Sequence, residues 1–104
     1  GTPAGDFLVT MTDYYIDFYV KNQPEIHGCG LHDPFAVAAA LDPSLVTTFG
    51  FNLQVDLEGP FRGRTIGDRP RLQDFDKHTQ VALGVDVSEF LDRFMARVTA
   101  AARG

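Results

Sequence analysis

An α/β arrangement of helices, a β-hairpin and one further strand is what this sequence predicts, and three stretches carry the prediction. Between Phe7 and Tyr19 the apolar residues fall at positions 7, 8, 11, 14, 15, 18 and 19, the spacing of a single helix face. Phe51, Leu53, Val55 and Leu57 alternate with Asn52, Gln54, Asp56 and Glu58, the pattern of a half-buried strand. Phe90, Leu91, Phe94, Met95, Val98, Ala101 and Ala102 then repeat the helical spacing.

Local signals set the limits of each element. Thr2-Pro3 provides a cap and a first-turn residue for the first helix. The stretch Lys21 to Gly30 carries Asn22, Pro24, Gly28 and Gly30, so a loop ends that helix and leads to His32-Asp33. Asp33 is then expected to cap a second helix, with Pro34 at its first position and Phe35 to Leu41 as two turns of good helix formers. Asp42-Pro43 repeats the device for a short turn through Ser44 and Leu45.

Downstream, Gly59-Pro60 turns the alternating strand into a partner near Arg62 to Ile66, a hairpin. Gly67 to His78 is polar, contains Pro70 and reads as an exposed loop. Gln80 to Val85 is a short strand, and Asp86 with Glu89 three residues on makes a capping box for the last helix. The order is helix, helix, two strands, strand, helix. Its apolar faces ask for more partners than the chain itself supplies.

Composition narrows the function. At 104 residues the chain holds one domain at most, and 44% apolar residues with nine Phe describe a packed protein rather than a disordered tail. Fourteen acidic against nine basic residues give a net charge of -5, a field that repels nucleic-acid phosphates and anionic membranes. The single Cys29 cannot form an internal disulfide, so a reducing cytoplasm is the expected compartment. The longest unbroken apolar run, Phe35 to Leu41, is far shorter than the roughly 20 residues of a membrane span, and the chain reads as soluble. It opens on Gly1-Thr2-Pro3 with a helix already under way, as expected of a segment cut from a longer polypeptide.

The chemistry concentrates at His32-Asp33. Asp before Pro is a routine helix start, and as a cap Asp33 contributes about 1 kcal/mol. Its carboxylate has lone pairs to spare, so one oxygen can accept a backbone N–H while the other meets a hard cation. A histidine beside it can donate or accept a proton near neutrality. Two rival readings use the same loop. His27, Cys29, His32 and Asp33 lie within seven residues and could hold zinc or copper, although two glycines interrupt them. Cys29 with His32 could be a nucleophile and its base, but such partners normally meet through the fold. Arg62, Arg64, Arg69 and Arg71 form a basic stretch suited to a solvated hairpin, a phosphate or a subunit contact.

Leu31-His32-Asp33-Pro34, followed by Ala36-Val37-Ala38 and Asp42-Pro43, resembles the C-terminal signature of nucleoside hydrolases that prefer inosine and uridine, or pyrimidines. Val55-Asp56-Leu57-Glu58-Gly59, Arg62-Gly63-Arg64-Thr65 and Asp68 look like that family's hairpin and following turn. Val81 to Val87 with Phe90 looks like its last strand and helix. The resemblance implies that residues 1–104 are the C-terminal segment of a single hydrolase domain with an open sheet, its N-terminal part absent.

Carried over residue by residue, the resemblance makes Asp33 a ligand of a tightly held calcium ion and His32 the acid that protonates the departing base. It places two aromatics one helical turn apart near the nucleobase, a relation met by Tyr15 and Tyr19 and also by Tyr14 and Phe18. It implies hydrolysis of a ribonucleoside to base and ribose in purine and pyrimidine salvage, and a homo-oligomer, dimer or tetramer. The family's other calcium ligands and general base lie in an Asp-x-Asp-x-Gly-x-Asp-Asp motif that this chain lacks; Asp74-Phe75-Asp76 is the nearest sequence. One carboxylate cannot fill the about six to eight oxygen positions of calcium. The chain alone is therefore expected to bind calcium weakly and to be inactive. The alternative is a stand-alone interaction domain in which His32-Asp33 is structural.

Overall fold

The computed structural model describes residues 1–104 and divides them into two compact units, Gly1–Leu45 with Asp86–Gly104, and Val46–Val85. In the first unit, α1 spans Pro3–Asn22, α2 His32–Leu41 and α3 Val87–Arg103, with single 3₁₀ turns at Pro24–Ile26 and Pro43–Leu45. None of these helices is long and apolar enough to cross a membrane.

The start of α1 follows the sequence reading. Thr2 takes extended backbone angles and its side-chain oxygen accepts the N–H of Gly5 at 3.1 Å, while Pro3 occupies the first turn. The same Thr2 hydroxyl donates to the carbonyl of Ala102, tying the first turn of α1 to the last turn of α3. Asp86 caps α3 by accepting the N–H of Glu89 at 3.0 Å. The reciprocal half of the expected capping box does not form. Glu89 instead bonds Arg93 Nε at 2.5 Å, one turn further along, and Arg93 also pairs with Asp42 at the end of α2.

Burial in this unit is narrower than the helical faces suggest. Tyr19, Leu45 and Phe90 are its buried apolar side chains. Phe90 stands at the centre, with Phe35 of α2 edge-on at 5.1 Å between ring centroids and Phe94 stacked at 5.7 Å. Leu91 and Met95, expected on the same face, are exposed, because the contact follows only the 90, 94, 98, 102 row. Most of the expected α1 face, Phe7, Met11, Tyr14 and Phe18, is likewise exposed, so the excess of apolar surface read from the sequence is present in the folded chain.

In the second unit, β1 (Val46–Phe51) pairs antiparallel with β4 (Thr79–Val85), and β2 (Leu53–Val55) pairs antiparallel with β3 (Thr65–Gly67). The β1–β4 register slips by one residue between Thr47 and Thr48, a bulge. The hairpin is found, with Val55 opposite Thr65 and Leu53 opposite Gly67. Its loop closes through Gly63, which takes φ 90° and donates to the Asp56 carbonyl at 2.7 Å. Arg64 stays within this hairpin, over the Phe61 ring at 4.5 Å and 3.9 Å from Asp56.

Two expectations are corrected here. The alternating stretch Phe51 to Leu57 is not one strand: it breaks at Asn52, and Val46–Gly50, which carried no strand assignment, belongs to β1. Asn52 is 2% exposed, and its side chain is the reason for the break. The Nδ2 group donates to the carbonyls of Arg71 and Asp76, each at 3.0 Å, and Oδ1 accepts the N–H of His78 at 3.0 Å. The backbone carbonyl accepts Asp68 N–H at 2.8 Å. The segment 67–78, largely exposed as expected, is pinned around this one side chain, with Lys77 also donating to the Leu72 carbonyl at 2.8 Å.

Asn52→Ala leaves two carbonyls and one N–H of that segment without their partner, at a cost of about 2 to 4 kcal/mol. Denaturant unfolding should show that loss, with amide exchange accelerated first at His78. Unchanged exchange at His78 would show that the segment does not depend on Asn52.

Candidate active site

The candidate site belongs to the first unit and is built from the last two turns of α1, the loop 23–31 and the first turn of α2. Tyr15 and Tyr19 lie one helical turn apart, with hydroxyls 3.4 Å from each other and rings edge-on at 5.2 Å. Phe18 packs edge-on against Tyr19 at 5.9 Å. Tyr19 is 9% exposed and Tyr15 40%, whereas Tyr14 is 80% and Phe18 53% exposed. Of the two aromatic pairs open to the sequence, Tyr15 and Tyr19 are the one joined through its hydroxyls.

The chain leaves α1 through Gln23, whose N–H bonds the Tyr19 carbonyl at 2.7 Å. After the 3₁₀ turn, His27 takes the left-handed conformation at φ 53°, which is unusual for a residue with a side chain and reverses the path toward α2. Gly28, Cys29 and Gly30 are half-buried and carry the chain to Leu31.

Asp33 is not the cap. Helix α2 begins at His32, its N-cap is Leu31, and no side chain bonds the first-turn amides. The first turn closes through the backbone alone, Phe35 N–H to the Leu31 carbonyl at 2.9 Å. Pro34 then falls at the third helical position, where its missing N–H still costs nothing because the first four amides have no intrahelical acceptor. Asp33 is the second residue of the helix, where its charge complements the helix dipole, and its carboxylate accepts no hydrogen bond from the chain. Both oxygens are open to an external partner.

His32 Nε2 and the Tyr19 hydroxyl both lie close to the space that a side chain at Gly30 would occupy. The Tyr15 hydroxyl is pushed above the ordinary tyrosine range, first by its hydrogen bond with Tyr19, then by burial and by the neighbouring Tyr19, Cys29 and Asp33. Tyr15, Tyr19, His32 and Asp33 thus share one locality that the sequence spreads over nineteen positions.

No three of the chain's His, Cys, Asp and Glu side chains converge on a point where a metal ion would sit. That sets aside the zinc or copper reading of His27, Cys29, His32 and Asp33. It also means that Asp33 has no second and third acidic or His/Cys partner around it with which to complete a metal site from this chain alone.

A protein-family model described as inosine-uridine preferring nucleoside hydrolase matches residues 1–92. The chain belongs to that family. Among its relatives, the inosine-uridine preferring nucleoside hydrolase of Crithidia fasciculata is 34% identical over 90 residues, 86% of this chain and 28% of that protein. A pyrimidine-specific ribonucleoside hydrolase of Enterobacter sp. is 26% identical over 99 residues, 94% of this chain and 32% of that protein. The solved structure of a purine-preferring ribonucleoside hydrolase from Gardnerella vaginalis superposes with a TM-score of 0.91 at 59% identity, covering 97% of this chain and 32% of that one. The nucleoside hydrolase chain described here spans about a third of the length of the relatives it matches. Its helices and strands are those of the corresponding part of the Gardnerella vaginalis fold.

The two Asp-Pro pairs of this nucleoside hydrolase chain carry different duties. Asp42 accepts the N–H and hydroxyl of Ser44 at 3.0 and 2.6 Å and pairs with Arg93. Its carboxyl is held down to about 2, first by the Ser44 hydroxyl, then by Arg93 and the Ser44 amide, against an ordinary 3.8. A carboxyl lowered by folding contributes stability above its unfolded value, and that contribution is lost as pH falls through the folded one. Thermal midpoints of the parent sequence and of Asp42→Asn should therefore differ most above about pH 4 and converge toward pH 2. A difference independent of pH would remove the carboxylate from this account.

Proposed function

We propose that this chain is the C-terminal wall of the active site of a cytoplasmic, homo-oligomeric, calcium-dependent ribonucleoside hydrolase, with His32 as leaving-group acid and Asp33 as one calcium ligand. The observation that carries the reading is the pairing of an uncommitted Asp33 carboxylate with the adjacent His32 at the head of α2, beside the Tyr15–Tyr19 hydroxyl pair. A carboxylate with no structural partner is available for a ligand; Asp42, fully engaged, is not.

The reaction is hydrolysis of the N-glycosidic bond: water adds at the anomeric carbon, the base departs and takes up a proton, and base and ribose are released. Positive charge develops on the sugar as the bond opens and negative charge on the base, so an acid aimed at the base lowers the barrier. His32 holds that proton, and Tyr15 and Tyr19 form the aromatic boundary beside it. Asp33 would give one oxygen to a bound calcium ion, which would supply Lewis-acid chemistry toward the sugar hydroxyls and water. The remaining ligands and the group that takes the water's proton come from outside this chain. Substrates are purine or pyrimidine nucleosides destined for salvage, and the 59% identity to a purine-preferring enzyme supports the purine class first.

In a polypeptide carrying the complete acidic set, His32→Ala should lower turnover about 100-fold or more on nucleosides whose base is a poor leaving group, and less on activated ones. Asp33→Asn should weaken calcium binding and turnover together, while Asp42→Asn leaves calcium affinity alone. The 104-residue chain by itself should bind calcium weakly by calorimetry and release no ribose from inosine or uridine. A His32→Ala enzyme of undiminished rate on every nucleoside, or ribose released by the isolated chain, would overturn the assignment.

A further inference from the structure

Gly28 and Gly30 flank Cys29 in a sequence that treats them alike, but the fold does not. A Cβ built at Gly28 meets nothing within 4 Å. A Cβ built at Gly30 lies 2.5 Å from His32 Nε2, 3.0 Å from His32 Cδ2 and 2.8 Å from the Tyr19 hydroxyl. Carbon does not approach nitrogen or oxygen that closely without bonding, so no L-residue with a side chain fits Gly30 unless the imidazole or the tyrosine moves. The positive-φ glycines lie elsewhere, so Gly30 answers a demand for space rather than for backbone conformation.

We propose that Gly30 is a positioning residue, whose missing side chain lets the His32 imidazole and the Tyr19 hydroxyl converge at the head of α2. The proposal rests on the reading of His32 as the proton donor, and it names what leaves room for that donor beside Tyr19. His32 is exposed, and its ring makes no hydrogen bond to the protein, so its place is easily lost to a new side chain. Tyr19 in contrast is confined, nearly buried and packed by the rings of Tyr15 and Phe18. When a methyl group enters at Gly30 the confined tyrosine stays and the exposed imidazole swings out. The orientation of the proposed acid is therefore set by an absence of atoms two residues before it.

The test is nuclear magnetic resonance on the full 104-residue chain, at one pH and without ligand, reading the Overhauser contact between the His32 and Tyr19 rings. His32→Gln assigns the imidazole signals among the three histidines. The parent chain should show the contact and Gly28→Ala should keep it. Gly30→Ala should lose it and shift the His32 ring carbons, with an unchanged thermal midpoint. Gly30→Ala combined with Tyr19→Phe opens room where the hydroxyl stood, so the contact should return in part, which a general loosening of the loop would not produce. An undisturbed contact in Gly30→Ala, an equal loss in Gly28→Ala, or collapse of the fold in Gly30→Ala would overturn the proposal. Because the readout needs no turnover, a His32 without catalytic effect would defeat the functional reading and leave this result standing on its own terms.

Discussion

The chain leaves its first unit at Leu45 and re-enters it at Asp86, and the Asp86 N–H donates to the Leu45 carbonyl at 2.9 Å. Two points forty-one positions apart in sequence are thereby fixed side by side. The start of α3 is placed by this closure, as its end is by the bond from Thr2 to Ala102. Once Asp86 is held there, its carboxylate caps α3, Phe90 falls opposite Phe35 of α2, and Arg93 reaches the Asp42 carboxylate at the end of α2. The ion pair is half-exposed and worth little as a source of stability. What it does is fix orientation, since Asp42 is also bound to Ser44 and cannot turn toward Arg93 without carrying the 3₁₀ turn with it. Helix α2 is anchored at its C-terminal end, and its N-terminal end, where His32 and Asp33 stand, is left to the loop from α1.

That division of labour explains how legible the protein was. Helices α1 and α3 announce themselves by period and by caps, because those signals are local: Thr2 binds the amide of Gly5, and Asp86 that of Glu89. The buried side of each helix was not legible to the same degree. Period identifies a stripe, but which half of a stripe is covered depends on the neighbour, and Leu91 and Met95 share the pattern of Phe90 and Phe94 without sharing their burial. The strand misreading at Asn52 has the same origin. The sequence alternates across it, but Val55 and Leu57 are exposed, and a buried amide satisfied by Arg71, Asp76 and His78 is a tertiary fact with no signature in a short window.

At the head of α2, local signals placed a helix start correctly but not its cap. Asp-Pro is a fair signal for a cap, and at Asp42 the carboxylate does bind the following turn. At Asp33 the helix starts one residue earlier, so the same dipeptide falls inside the first turn and the side chain is released from that work. The spacing of Tyr15 and Tyr19 is shared with Tyr14 and Phe18, and the two pairs differ in packing, Tyr19 being buried while Tyr14 and Phe18 are exposed. Gly30 carried no usable signal at all, since its distinction from Gly28 exists only once Tyr19 and His32 are in place.

The contrast between the two aspartates bears on the chemistry more than on the fold. A side chain that satisfies several protein groups is costly to recruit for a ligand, because each bond it gives up leaves a partner unsatisfied. Asp42 is in that position, with two bonds to Ser44 and one to Arg93. Asp33 has no such bond to give up, and the head of its helix is closed by the backbone bond from Phe35 to Leu31. Such a carboxylate contributes nothing to its own helix cap, yet it is held in register with His32 by a turn that Phe35 and Leu31 complete without it. Asp33 is thus an uncommitted anion on a frame fixed by the backbone, next to an imidazole for which Gly30 leaves room.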